Sequence, residues 1–331
     1  MRWLHRFFKR FAFYQAIIQW AQSIRPAGFG TLSLYSVIVF FVEEFLTGTL
    51  VSKASSLAYS FMLAIFPATI FLFTLIPYIP IHNFQQNMID LIALVLPNQK
   101  ATQFFNDNIV DIIKNQNGKL LSFGFLSALI FATNGVANLM RAFNRSSLVL
   151  ETRTWLKIRW VALVLTVVIS ISLLIAILIM TLGQNVLNFL QAHIFTTQHF
   201  WFYIIAFIRW LVVVLIFFVT VSILYRYGPA HKQRWNFLNP GSIMATVLAV
   251  LTSLGFTYYI NHFSHYNKIY GSIGTLIVVM LWLYLNSLIV LMGFELNANI
   301  DFAKRNIKVI KPNYNSFRIE NADTLPLQKP R

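Results

Sequence analysis

The chain has 331 residues, 57% hydrophobic and 11% charged, with a formal net charge of +16 and a mean hydropathy of +0.65. Soluble domains carry about 25% charged residues, so this chain cannot cover a water-facing globule, and its long continuous apolar runs exclude the short alternating strands of a β-barrel. The absence of cysteine removes disulfides, thiolate catalysis and cysteine-based metal sites. The positive balance reads as basic loops on the inner membrane face and attraction to anionic lipid, rather than as nucleic-acid binding.

Residues 1–25 open the chain with Trp3, Phe7, Phe11, Tyr14 and Ile18 at helical spacing and Arg2, Arg6, Lys9 and Arg10 on another face. That pattern predicts a basic amphipathic helix lying in the membrane interface. No A-x-A-like cleavage site follows it, and the first true span is expected to serve as the insertion signal. Residues 32–50 are apolar but hold Glu43-Glu44. Two adjacent carboxylates in a lipid-facing span are costly, so an elbow helix is expected there, a seventh span being the alternative.

Six stronger spans are predicted at about 54–78, 120–140, 160–182, 201–225, 241–262 and 271–294, within a transmembrane domain covering residues 26–310. The last lies in a stretch uncharged from Ile269 to Phe294, ample for a helix rising roughly 1.5 Å per residue to cross a hydrocarbon core of ~30 Å. The fold class expected is all-α, a polytopic membrane helix bundle with six spans plus the amphipathic and elbow helices. Between the first two spans, residues 79–119 read as an outer loop of two amphipathic helices broken by Pro97, and residues 311–331 as a disordered cytoplasmic tail.

Basic residues sort by side. Arg141, Arg145, Arg153, Lys157 and Arg159 share one linker region, Arg226, Lys232 and Arg234 another, and both termini are basic. The opposite side holds only Lys100, Lys114, Lys119 and Lys268. The positive-inside rule then places both termini in the cytoplasm of a cell with the protein in its cytoplasmic (inner) membrane. Small residues recur every fourth position at Ser56, Ser60, Ala64 and Ala68, at Gly124, Ala128 and Ala132, and at Gly241, Ala245, Ala249 and Ser253. Such stripes let helix backbones approach closely in lipid.

Catalytic motifs are missing: there is no H-E-x-x-H, no G-x-S-x-G and no phosphate-binding loop ending in Lys-Ser/Thr. Asp107 and Asp111 share a helical face but read as a solvated pair, and His262 with His265 make no metal site alone. No cofactor, no metal and no enzymatic activity are expected. Polar residues within spans say more, because they are expensive at membrane depth. Asn134 and Asn286 either bond across helices or line a substrate path. Arg209 either snorkels outward beside Tyr203 and Trp210 or faces a lumen. Trp282, Asn286, Ile289, Gly293 and Asn297 continue one helical face.

Several segments together are recognisable. Ala54-Ser55-Ser56-Leu57-Ala58-Tyr59 with Phe66-Pro67 resembles the opening span of the YihY/virulence factor BrkB family of inner-membrane proteins. Arg141-Ala142-Phe143-Asn144-Arg145 with Glu151-Thr152-Arg153 resembles its inner loop, and Leu224-Tyr225-Arg226-Tyr227-Gly228-Pro229 with Pro240-Gly241 the next one. Tyr270-Gly271-Ser272-Ile273-Gly274, Trp282-Leu283-Tyr284-Leu285 and Gly293-Phe294-Glu295-Leu296-Asn297-Ala298 are similar to its most specific signature. The resemblance implies six spans with an N-terminal elbow. Its members have carried the label ribonuclease BN, but short basic loops almost without carboxylates do not suit RNA hydrolysis.

These readings lead to an expected transporter or flippase of lipid or another anionic amphiphile in envelope biogenesis. Its partners would be membrane lipids, especially anionic ones, with no nucleic acid, and a protein partner of envelope biogenesis is open. A non-transporting membrane scaffold is the alternative, and a ribonuclease the reading least suited to the residues. Tyr59, Asn134, Arg209, Tyr270, Trp282, Asn286 and Glu295 are the candidates for a substrate path, and Arg153 and Arg226 for headgroup binding. Pro67, Pro229, Gly271 and Gly274 are expected to shape helix ends and breaks.

Overall fold

The computed structural model describes residues 12–24, 33–78, 116–147, 149–193, 199–230, 235–262 and 272–304. Among them are eight α-helices: α1 (Ala12–Ser23), α2 (Leu34–Thr47), α3 (Thr49–Leu75), α4 (Gly118–Ser146), α5 (Trp155–His193), α6 (His199–Tyr227), α7 (Pro240–His262) and α8 (Ser272–Lys304). Six segments are long and apolar enough to cross a bilayer: Thr49–Leu75, Gly118–Ser146, Trp155–Met180, Ile204–Tyr227, Pro240–Ile260 and Gly274–Lys304. The protein is an all-α polytopic membrane bundle with extra helices. The loop expected at 79–119, apart from its last few residues, and the tail expected at 311–331 lie outside the described residues.

Local chemistry sets the helix ends. Gly48 adopts φ +71° between α2 and α3, a left-handed turn that glycine makes at no steric cost. Beside that turn Glu44 is buried and accepts a hydrogen bond from the Thr49 hydroxyl. One of the two carboxylates that made this stretch expensive is therefore bonded at the helix junction. Asn117 caps α4, its side chain accepting from the Leu120 amide at 3.0 Å. Asn239 caps α7, accepting from the Ser242 amide at 2.8 Å, with Pro240 in the first helical position where a missing N–H costs nothing. At the end of α6 the Gly228 amide donates to the Leu224 carbonyl at 2.9 Å, and Pro229 then prevents continuation. Pro67, by contrast, lies inside continuous α3, so no helix break occurs there.

The core sits at one end of the bundle. Phe143 of α4 stacks on Phe294 of α8 with ring centroids 4.1 Å apart. Tyr225 of α6 meets both edge-on, at 5.6 Å and 5.7 Å. Trp235 packs on Phe294 from the α6–α7 linker at 5.0 Å. Offset stacked and edge-to-face pairs are the favoured aromatic geometries. Elsewhere the spans keep large apolar side chains exposed, among them Leu173, Ile177, Phe207, Leu215 and Leu254, as surfaces solvated by lipid must.

Small residues set how closely the helices cross. A Cβ on Gly124 would lie 3.0 Å from the Phe71 backbone of α3, and one on Gly135 2.9 Å from the Phe61 ring. Gly241, Ala245 and Ala249 of α7 are all buried, with Gly241 against Gly293 of α8. The stripe of Ser56 and Ser60 works differently: their oxygens take up the Asn138 amide of α4.

Candidate functional site

The end of the bundle that holds the aromatic core also gathers most of the charged side chains among the described residues. Lys53, near the start of α3, donates to Glu295 Oε1 at 2.9 Å and to Ser146 Oγ at 2.8 Å. Ser146, in the last turn of α4, donates to the same carboxylate oxygen at 2.5 Å. Glu295 is buried, so Lys53, Ser146 and Glu295 join three helices in a setting of reduced dielectric, where an unpartnered charge is costly. Two residues on, Asn297 accepts from the Gly241 amide at 2.8 Å and donates to Asn239 Oδ1 at 2.5 Å. That links the polar face of α8 to the cap of α7.

A second cluster clips the α4–α5 linker to the end of α6. Arg153 forks onto Glu151, Nε to Oε1 at 2.7 Å and Nη2 to Oε2 at 2.8 Å. It also donates to the Gly228 carbonyl at 3.0 Å. Asn144 donates to Glu151 Oε2 at 2.7 Å and accepts from the Ala230 amide at 2.8 Å. The Arg153 guanidinium lowers the Glu151 pKa, opposed by partial desolvation and assisted by Asn144. A lowered carboxyl pKa contributes stability that is complete above the ordinary carboxylate range and is lost as pH falls through the lowered value. Hydrogen exchange at the Ala230 amide, corrected for intrinsic rate, should therefore stay slow between pH 7 and pH 5 and quicken only once the pH falls below the ordinary carboxylate range. Glu151→Gln should give fast exchange at pH 7. Quickening already at pH 6 would contradict the arrangement.

Arg226 donates to the Trp235 carbonyl at 3.0 Å and lies over the Phe237 ring at 4.7 Å. Arg153 and Arg226, the headgroup candidates from the sequence, thus hold the two linkers of this end.

A third feature is an exposed polar face. Asn134, Asn138, Arg141 and Arg145 recur along one side of α4 at intervals of four, three and four residues. From Asn134 to Arg145 the helix rises roughly 16 Å at about 1.5 Å per residue, half of a ~30 Å hydrocarbon core. Asn134, Arg141 and Arg145 are exposed and Asn138 is half-buried. Beside them, α3 presents Ser52, Ser56 and Tyr59, also exposed. The two faces are joined by Asn138, which donates to Ser56 Oγ and Ser60 Oγ, each at 3.0 Å. On the other flank Arg159 of α5 donates to Asn134 Oδ1. Asn138 was not among the residues singled out by sequence, although its helical register with Asn134, Arg141 and Arg145 was there to be read.

The remaining sequence candidates have other neighbours. Tyr59 is 60% exposed and shares the polar side of the α3–α4 pair with Asn134. Asn286 donates to the Trp282 carbonyl of its own helix at 2.8 Å, while Trp282 packs on Phe256 of α7 at 4.8 Å. Arg209 lies against Gly183 of α5, where an added Cβ would sit 2.7 Å from its Cδ. Asn134, Arg209 and Asn286 therefore meet three different surroundings. Gly274 is a buried residue near the start of α8, and Tyr270 and Gly271 lie outside the described residues. Among the described residues no group of three or more His, Cys, Asp or Glu could hold a metal ion.

Comparison with known proteins agrees with the fold. The sequence profile described as Virulence factor BrkB matches residues 41–313. YfkH of Bacillus subtilis, named as a ribonuclease-like protein, is 32% identical over 254 residues, covering 77% of this chain and 91% of that one. A UPF0761 membrane protein of Stenotrophomonas maltophilia is 25% identical over 266 residues, 79% of this chain and 60% of its own length. One from Xanthomonas campestris is 26% identical over 292 residues, 85% of this chain and 64% of its own. The match thus spans less than two thirds of these UPF0761 relatives. No solved structure matches the chain.

Proposed function

We propose that this chain, which belongs to the virulence factor BrkB family, moves a lipid or another anionic amphiphile between the leaflets of the cytoplasmic membrane. The observation that carries the reading is the polar face of α4, exposed from about mid-membrane to the basic end of the bundle. Polar and ionisable groups at membrane depth are costly and mark pathways. A headgroup following Asn134, Asn138 and Arg141 would stay solvated by side chains while its acyl tails remained in the surrounding lipid. Tyr59 and the serines of α3 would form the other bank. The basic end would face the cytoplasm and draw in negative headgroups. With no nucleotide-binding motif in the sequence, transfer would run down a gradient or depend on a partner.

The reading is tested by reconstituting the purified chain in phosphatidylcholine vesicles with a fluorescent phosphatidylglycerol. The accessible dye is then bleached with an impermeant reductant. In protein-free vesicles about half the dye should bleach, since the inner leaflet is protected. In vesicles containing the protein the bleached fraction should approach completion, and Asn138→Leu should slow that second phase by roughly tenfold, as if about 1.4 kcal/mol were added to the barrier. Bleaching no different from protein-free vesicles, with and without an ion gradient, would sink the proposal.

A scaffold without transfer activity is the second reading. It is favoured by the number of polar side chains bonded between elements at the basic end, from Lys53–Glu295 to Asn239–Asn297. It predicts no transfer and stable co-purification of an envelope protein.

A further inference from the structure

The basic end carries an open groove, about 480 Å³ in volume, lined by Arg141, Asn144, Arg145, Val149, Leu150 and Glu151. That volume lies within the common range of ligand sites. We infer that this groove binds the anionic phosphate headgroup of a membrane lipid, with Arg141 and Arg145 as its ligands.

Four observations carry the inference. First, the two arginines stand four residues apart on the exposed polar face of α4, close enough to reach one phosphate together. Second, neither is in an ion pair among the described residues, where the pairs are Lys53–Glu295 and Arg153–Glu151. Third, the acid that lines the groove, Glu151, does not oppose an anion. Both Glu151 oxygens are held by the Arg153 fork, and Asn144 bonds one of them as well. The groove is left with two uncommitted guanidinium groups beside a neutralised carboxylate. Fourth, its other wall is apolar. Leu150 is 86% exposed next to these charges, which suits a ligand whose phosphate continues into a hydrocarbon chain. A soluble phosphate ester would gain nothing from that wall, whereas a lipid would gain buried apolar area there.

The groove also lies at the end of the face assigned above to headgroup transfer. Its role as a point of entry rests on that reading, but binding can be measured separately. The full chain is purified and its bound lipids are counted by native mass spectrometry after equilibration with phosphatidylglycerol or phosphatidylcholine. Wild-type protein should hold phosphatidylglycerol at least tenfold more tightly than phosphatidylcholine. The double variant Arg141→Gln/Arg145→Gln should lose that preference, and Arg141→Lys/Arg145→Lys should keep much of it. Both arginines are exposed, so the variants are expected to fold, and the Ala230 amide exchange described above checks that the neighbouring clip is intact. Millimolar glycerol phosphate should not displace the lipid.

Equal retention of phosphatidylglycerol by the wild type and the double-glutamine variant would overturn the site. Displacement by glycerol phosphate at concentrations matching the lipid would overturn its assignment to lipid in favour of a free phosphate ester. In the vesicle assay the double-glutamine variant should lose binding and also slow transfer of the fluorescent phosphatidylglycerol, because Arg141 lies on the proposed path as well as in the groove. Binding retained with transfer absent would end the transfer reading and leave the groove standing.

Discussion

Gly293→Leu will prevent the last helix from closing on α7 and leave little folded protein. A Cβ at Gly293 would run into the Tyr225 hydroxyl and the Gly241 carbonyl oxygen, and would stand 2.8 Å from the Ala245 Cβ. None of the three can retreat. Gly241 and Ala245 belong to the backbone-to-backbone crossing itself, and the Tyr225 hydroxyl donates to the Val290 carbonyl at 2.7 Å from inside the aromatic cluster. A leucine there must separate α7 from α8, and with them the Asn297–Gly241 bond of 2.8 Å and the packing on Phe294. Overpacking usually costs 1–3 kcal/mol where side chains can shift; with backbone on the far side the loss should exceed about 4 kcal/mol. The measurement is monodispersity and thermal unfolding in detergent. Gly255→Leu is the control, since a Cβ there meets nothing within 4 Å and the change should be within about 0.5 kcal/mol of neutral. Equal behaviour of the two variants would show that the α7–α8 crossing is looser than described.

Lys53→Met should destabilise the bundle by about 3–5 kcal/mol, and Glu295→Leu by less, because each strands the other charge. Glu295 would keep Ser146 as a donor at 2.5 Å but not a counter-charge. Lys53 is partly exposed and can move toward water, so Glu295→Leu should be the milder variant. The double variant Lys53→Met/Glu295→Leu removes both desolvation penalties and should be less damaging than Lys53→Met alone. Unfolding midpoints of the four proteins form the cycle. Additive losses would mean that the two side chains act independently, contrary to their 2.9 Å contact.

Both predictions depend on contacts that cross the chain. Lys53 and Glu295 are separated by 242 positions. In the sequence Glu295 directly follows an uncharged run and Lys53 directly precedes the first predicted span. A lone cation and a lone anion at span ends are a reason to suspect pairing, but pairing requires their helix ends to meet, and no periodicity shows which ends do. The same limit applies to Arg153 and Arg226. Their position in basic inner loops suggested headgroup binding, since charge type and linker length were all that could be read. In the folded chain the α4–α5 linker brings Arg153 to the Glu151 carboxylate and the Gly228 carbonyl, the α6–α7 linker brings the Trp235 carbonyl to Arg226, and the two arginines are engaged there. Arg141 and Arg145, equally basic in sequence, remain exposed because they face outward from α4. The polar face of that helix could have been found by register alone. Taken singly, Asn134 and Asn286 stand out as isolated mid-span polar residues that either bond across helices or line a path, and that reading passes over Asn138.

The sequence by itself determined the solvent of this protein and the number of long apolar helices. Hydrophobic length against bilayer thickness, and the scarcity of charge, are one-dimensional quantities that need no partner to have their effect. It also located the glycine and alanine stripes where helices could approach. The tertiary structure decided which charges are paired and which are left to meet a ligand. Hydrogen bonds and ion pairs act over about 3 Å, so they depend on rotation and offset between helices that come together only when the apolar spans have packed. Out of similar arginines, packing placed Arg153 and Arg226 in the joints of the bundle and left Arg141 and Arg145 on its open face.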